Sequence, residues 1–237
     1  MEKYSSVFVI GGDGTLNYFI NKYKEIQIPI AIFKGGSGND FAWKLYGNIS
    51  PAEYLDRVLS GNFLKVDAGS CNDRLFLNGF GIGFDGAIVQ AMGSRKKFSA
   101  GHLAYLCSVI KNVLFYQETL VSLKIDNHSE RIEKPFLIAV ANGERYGGGF
   151  KIAPDAIIND GKLDLILIKQ ISPWKRLWKI PIVQKGRHLS LNIVEHQLIQ
   201  NITIKPKGAL SAHCDGESIN SMFFQISILP GQYRFFH

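Results

Sequence analysis

Hydrophobic positions along this chain show two textures, one near the start and another through the remainder. Residues 7–10 (Val-Phe-Val-Ile) form a short β-branched apolar run, too short for a helix and suited to a strand buried on both faces. Gly11-Gly12-Asp13-Gly14-Thr15 breaks that run, and Leu16, Phe19, Ile20 and Tyr23 then recur at helical spacing. Residues 28–33 repeat the pattern: an apolar run, the loop Lys34-Gly35-Gly36-Ser37-Gly38-Asn39-Asp40, and a helix over 41–46. Two parallel strands joined by a helix make a βαβ unit, and its loops emerge on one side of the sheet. A polar helix is expected around residues 51–59.

Beyond that point short apolar runs follow one another with few helical stretches between them. Residues 63–67, 75–78, 120–125, 136–140, 163–168, 202–204 and 223–228 read as strands. Many strands with few helices predict an antiparallel, sandwich-like second domain. The expected fold is therefore an α/β nucleotide-binding domain over residues 1–63 and a β-rich substrate domain over 64–225. Two parallel strands cannot cover both faces of their own sheet in so short a domain. The remaining layer is expected from the apolar tail, residues 226–237, or from another chain, which leaves a homodimer open.

The 237 residues are 46% hydrophobic and 20% charged, ordinary values for a globular protein. A net charge of +7 suits an anionic partner such as a nucleotide, an anionic membrane or a nucleic acid. No nucleic-acid-binding motif accompanies the charge. Cys71, Cys107 and Cys214 are widely spaced and odd in number, which points to reduced thiols of a cytosolic protein and away from a disulfide framework or zinc site. No signal peptide is visible ahead of the first strand, and no apolar run reaches ~18 residues, so membrane association is expected to be peripheral.

The strand, glycine loop and helix of the opening bring bare N–H groups and a helix N-terminus toward a phosphate. The lysine of a G-x-x-x-x-G-K-[ST] loop is absent, and the loop carries Asp13. A carboxylate repels phosphates unless a cation lies between them or its oxygens are used to hold the loop. The reading adopted is a nucleotide phosphate loop working with Mg²⁺; a helix-capping aspartate is the alternative.

GGDGTLN, with Gly12, Asp13, Gly14, Thr15 and Asn17, resembles the signature of the diacylglycerol kinase catalytic-domain superfamily, which includes soluble bacterial lipid kinases. NAD kinases and phosphofructokinases share its GGDG core. The second loop is similar to the lipid kinases' P-x-G-T-x-N-D-F-A: Gly36, Gly38, Asn39, Asp40, Phe41 and Ala42 fit, Ser37 replaces threonine and Lys34 replaces proline. Phe80-Gly81-Ile82-Gly83-Phe84-Asp85-Gly86-Ala87 resembles G-x-G-F-D-A, where Asp85 either orders the site or belongs to a bulge-forming turn. The block from Asn142-Gly143 through Gly147-Gly148-Gly149 and Ala153-Pro154 to Asp160-Gly161-Lys162-Leu163-Asp164 resembles a pattern of soluble lipid kinases that the other two groups lack. Family members also begin with a further strand and an N-P-x-S-G-type motif. Neither precedes Val7, so either the start is truncated or misassigned, or the missing layer comes from the returning tail or another chain.

The resemblance implies an ATP- and Mg²⁺-dependent kinase that phosphorylates a lipid hydroxyl, on diacylglycerol or a related lipid. Gly12 to Thr15, Asn17 and Gly36 to Asp40 would then hold the nucleotide. Asp160 and the Lys162 carbonyl suit a structural divalent cation, although an Asp-Gly turn explains them equally. Asp215-Gly216-Glu217 resembles the D-G-E motif, with Asp215 as the base that accepts the hydroxyl proton, Glu217 as its support, and His213 incidental. Contact with an anionic membrane is expected from Arg95-Lys96-Lys97-Phe98 with the helical face Leu103, Leu106, Ile110 and Leu114. The mixed segment Trp174-Lys175-Arg176-Leu177-Trp178-Lys179 offers a second contact. Each cation near an anionic leaflet contributes on the order of 1 kcal/mol. The rivals are an NAD kinase and an inert nucleotide- or lipid-binding protein.

Overall fold

A computed structural model of the chain describes residues 4–93, 113–208 and 210–237. The expected strand from the start of the chain is β1 (Val7–Gly11). It pairs in parallel with β2 (Ile30–Lys34), and α1 (Asp13–Lys22) forms the connection. Then come α2 (Asp40–Tyr46) and α3 (Pro51–Ser60). Ser50 and Glu53 form a reciprocal capping box at the start of α3, and Gly61 closes it in the left-handed conformation. Leu16 and Ile20 of α1, Phe41 and Leu45 of α2, and Tyr54 and Val58 of α3 pack on this sheet as one core.

The chain continues through β3 (Phe63–Cys71), β4 (Arg74–Phe76), β5 (Gly79–Gly83) and α4 (Phe84–Gly93). After residue 113 come β6 (Val121–Ile125), β7 (Arg131–Glu133), β8 (Pro135–Ala141), β9 (Leu163–Lys169) and α5 (Pro173–Gln184). The last five strands are β10 (Val194–Ile199), β11 (Asn201–Pro206), β12 (Leu210–Cys214), β13 (Glu217–Ser221) and β14 (Phe224–Phe236). An antiparallel sheet in the order β10-β9-β8-β5-β12-β13 faces the β14-β11-β6-β7 part of the other sheet. Leu163, Leu165 and Leu167 point into the core between them, whereas Ile166 and Ile168 pack on the opposite face with Phe84, Tyr116 and Val183. The expected class is the observed one: a mixed α/β lobe and a β-sandwich lobe.

β14 joins the two lobes. Its first residues pair with β11, and Phe235 near its end pairs in parallel with Ile30 of β2. β3 runs antiparallel along nearly its whole length. The register shifts between Leu229 and Tyr233, a bulge that Asp67 fixes. This buried carboxylate accepts from the Gly231 N–H at 2.6 Å and from the Gly161 N–H at 2.7 Å.

The segment around Gly81, where a bulge-forming turn is the alternative to an ordering role for Asp85, is a fully buried central strand leading into a helix. Glycine hides the strand signal because neighbouring side chains fill the space a Cβ would take. A Cβ on Gly81 would lie 2.6 Å from His213 Nε2 and would overlap Asp85. Residues 95–98, 103, 106 and 110, with Cys107, lie outside the described residues.

Candidate active site

The loops after β1 and β2 meet backbone to backbone. Gly35 N–H donates to Gly11 O at 2.9 Å. A Cβ on Gly36 would sit 2.5 Å from Gly12 Cα, and one on Gly12 would sit 2.8 Å from Gly36 Cα. Neither position therefore admits a side chain, and the two loops close into one surface. Asn39, in the left-handed conformation at φ 51°, holds the second loop by accepting from Gly36 N–H at 3.0 Å and donating to Gly36 O at 2.6 Å. Lys34 is exposed and donates to Gly47 O at the end of α2. Ser37 is exposed at the tip.

Asp13 joins the loops through its side chain. Its carboxylate accepts from Asp40 N–H at 3.0 Å and from Phe41 N–H at 3.1 Å, so it caps α2 and not the helix it begins. The N-cap of α1 is Gly12, which offers no side chain, so the first-turn N–H groups of α1 are left for a ligand.

A third glycine loop arrives from the sandwich lobe. Gly147, Gly148 and Gly149 all have positive φ, at 64°, 79° and 112°. Gly148 N–H donates to Asp40 Oδ2 at 2.9 Å, and Arg145 Nε lies 2.9 Å from Asp40 Oδ1. The Arg145 guanidinium also stacks 4.0 Å from the Trp43 ring centroid. Burial pushes the Asp40 carboxyl up from its ordinary range, while Gly148 and Arg145 pull it back.

The acidic element sits opposite. Asp215 and Gly216 form a two-residue hairpin turn between β12 and β13, with φ of 48° and 84°. Asp215 Oδ1 accepts from Asn78 and Gly79 N–H, each at 2.9 Å. Its Oδ2 accepts from Leu77 N–H at 2.9 Å and from Asn17 Nδ2 at 3.2 Å. Burial raises this carboxyl, opposed by the N–H groups of Leu77, Gly79 and Asn78 and by the Asn17 amide.

Asn17 and, one turn on, Asn21 also donate to Leu75 O, and Asn21 Oδ1 accepts from Leu75 N–H. The face of α1 that begins with Asp13 is thereby fastened to the acidic turn. This geometry gives the two acids of D-G-E different surroundings. Both Asp215 oxygens are occupied by four donors, whereas Glu217 is exposed and its side chain has no partner among the described residues. Glu217 Oε1 lies 4.0 Å from where a Cβ on Gly14 would stand. It lines a cleft of about 440 Å³ together with Gly14, Asn17, Tyr18, Lys24 and Arg74.

Beneath the turn lies a polar cluster that the sequence gives little sign of. Tyr146 O–H donates to Asp85 Oδ2 at 2.8 Å, and His213 Nε2 lies 3.3 Å from the same oxygen. Gly216 N–H donates to His213 Nδ1 at 3.3 Å. With Nδ1 accepting, the imidazole proton sits on Nε2 and faces Asp85. Burial, then the neighbouring Asp85 carboxylate, pushes the Tyr146 phenol well above its ordinary range. His213 is thus a buried link between the acidic turn and the third glycine loop. The only sequence signal for it was adjacency to Asp215.

At Asp160 and Lys162, where a divalent cation and an Asp-Gly turn are the two expectations, the local hydrogen bonding is that of a turn. Asp160 is exposed, and its Oδ1 accepts from Lys162 N–H at 3.0 Å. Among the described residues no group of three or more His, Cys, Asp or Glu is placed to hold a metal ion. One carboxylate and one carbonyl are fewer than the six to eight oxygens a dedicated Ca²⁺ site takes, whereas Mg²⁺ keeps several waters and asks for fewer protein ligands.

Comparison with known proteins gives the following likenesses. Residues 1–71 match the diacylglycerol kinase catalytic domain, and residues 80–237 match the YegS C-terminal NAD kinase beta sandwich-like domain. The diacylglycerol kinase of Mycobacterium tuberculosis (strain ATCC 25618 / H37Rv) is 26% identical over 232 residues, covering 95% of this chain and 74% of that one. That of Bacillus subtilis (strain 168) is 25% identical over 239 residues, covering 98% and 75%. In fold, the chain superposes on a diacylglycerol kinase crystal structure from Bacillus anthracis str. Sterne with a TM-score of 0.71 at 22% identity, covering 100% of this chain and 77% of that one. An NAD kinase from Archaeoglobus fulgidus, solved in complex with ATP, shares the fold at a TM-score of 0.57 and 17% identity, covering 100% and 79%.

Proposed function

Because the chain belongs to the diacylglycerol kinase superfamily, with a YegS-type sandwich domain after its catalytic domain, we propose that it moves the γ-phosphoryl group of ATP onto a hydroxyl of a membrane lipid. The observation that carries this reading is the approach of the Glu217 carboxylate to Gly14 of the glycine loop, at the mouth of a cleft with room for an acceptor. Glu217 takes the proton of the lipid hydroxyl as its oxygen bonds to the γ-phosphorus. The bond from that phosphorus to the β–γ bridging oxygen breaks, and ADP leaves. Asp215 does not take the proton; it holds Leu77 to Gly79 and α1 in place around the reacting groups. Asp13 and the Gly35-to-Gly11 backbone bond keep the two phosphate loops closed on each other, with Asn39 holding the second loop in shape, which fixes the first turn of α1 as a phosphate seat.

Magnesium fits this arrangement as an ion that arrives with the nucleotide. Mg²⁺ is held through one or two carboxylates and substrate phosphates, which does not call for a preformed acidic cage. Asp13, within the Gly11–Thr15 loop, is the carboxylate that would face the ion, which when bound would supply neutralisation of phosphate charge.

The decisive experiment incubates the protein with ATP labelled in the γ-phosphate and phospholipid vesicles containing diacylglycerol, then extracts the lipids. Label in the organic phase is the expected result. Label transferred to NAD instead, or ATP binding without transfer to any lipid, would overturn the proposal.

The buried cluster gives a second expectation. An asparagine at 213 can present its side-chain oxygen where His213 Nδ1 accepts from Gly216, whereas glutamine reaches toward the Nε2 position instead. His213→Asn should therefore keep kcat within a few-fold of wild type, and His213→Gln should lower it by about tenfold with KM for ATP unchanged. Equal losses in both variants, in step with lost thermal stability, would reduce His213 to a packing residue.

A further inference from the structure

Helix α5 carries its polarity inside out. Amphipathic helices of globular proteins turn apolar side chains inward and cations outward. Here Arg176 is buried, while Trp174 and Trp178 are 71% and 80% exposed. The two tryptophans are four residues apart and share a helical face. Arg176 staples the helix to the segment before β6. It donates to Val113 O at 2.9 Å and Tyr116 O at 2.8 Å, and pairs with Glu118 at 2.5 Å. That segment carries Phe115, which is 74% exposed. Arg176, expected from the sequence to meet anionic head groups, is thus committed to the interior.

Charge singles out what this surface meets. Between Asp164 and Glu195 the chain has no carboxylate, yet Lys169, Lys175, Lys179, Lys185 and Arg187 accompany the inward Arg176. Lys169, Lys175, Lys185 and Arg187 are exposed. Exposed indole rings flanked by uncompensated cations match the boundary between acyl chains and anionic head groups. A protein partner of opposite charge would leave two indoles to be buried in a matching pocket; a bilayer accepts them without one.

We propose that α5, through Trp174 and Trp178, docks the protein on anionic membranes, with the neighbouring lysines held at the head groups. The purpose of docking rests on the lipid kinase reading, but the contact itself can be tested without catalysis. Among the described residues no helix is long and apolar enough to cross a membrane, so this is attachment to a surface.

The test uses the full chain and a Trp174→Ala/Trp178→Ala double variant, with thermal melting as a check that both fold. Co-sedimentation is measured, without ATP, on vesicles of phosphatidylcholine with phosphatidylglycerol and of phosphatidylcholine alone. Wild type should bind the anionic vesicles, and the double variant should lose about tenfold or more in affinity. Phosphorylation of a short-chain diacylglycerol in detergent should be equal in both proteins, while phosphorylation of vesicle-borne acceptor should fall in the variant. Unchanged vesicle binding by the variant would overturn docking through α5. So would equal binding of wild type to neutral vesicles, or loss of self-association as the variant's only effect. Tryptophan-dependent vesicle binding with no phosphorylation of any lipid would leave docking standing and sink the kinase reading alone.

Discussion

Glu217→Gln is expected to lower kcat for lipid phosphorylation by about 10²–10⁴-fold, the range a positioned general base contributes. Glutamine keeps the size and hydrogen-bonding reach of the side chain but cannot accept the hydroxyl proton at neutral pH. Glu217 is exposed, and its side chain has no partner among the described residues, so the variant should melt with wild type and bind ATP as well. Steady-state kinetics on vesicle-borne diacylglycerol, with calorimetry for ATP, check both halves. Retention of more than about a tenth of wild-type kcat would remove Glu217 from the reaction.

Asp215→Ala should fail differently, by weakening the fold. Removing this carboxylate leaves the N–H groups of Leu77, Asn78 and Gly79 and the Asn17 amide without their acceptor. Each such loss costs ~1–3 kcal/mol, and the shared site makes the losses non-additive, so about 3–5 kcal/mol is expected. At ~2–4 °C per kcal/mol for a chain of this size, the melting temperature should fall by roughly 10 °C. Asp215→Asn should recover little of this, since its amide must aim a donor at at least one of the same donors. Thermal and denaturant melts measure the effect. A fully stable but inactive Asp215→Ala would return the role of base to Asp215 and refute the division of labour argued for D-G-E.

The glycine loops were legible because their chemistry is local. Gly12 and Gly36 follow apolar runs directly, and a β-strand, turn and helix need no distant residue to be recognised. The strand Gly79–Gly83 was not legible, because its glycines are explained largely by Tyr146, His213 and the Phe136 backbone, which arrive from elsewhere in the chain. D-G-E could be found as a motif, but the roles of its two acids could not. They depend on which carboxylate the Leu77 to Gly79 backbone captures, a contact more than 130 residues away in sequence. Asp67 escaped for the same reason: only the folded chain brings Gly161 and Gly231 to it. Arg176 shows the reverse error. Its position in a basic, aromatic stretch suggested a surface role, and Glu118 draws it inside.

One backbone girder, β14, supports both halves of the molecule, and its single irregularity is bolted by Asp67. Any swing of one half against the other would therefore have to bend this shared strand. Shared framing also ties the fates of the two halves. Whatever peels that girder away strips a strand from both at once, so the protein should come apart in one step.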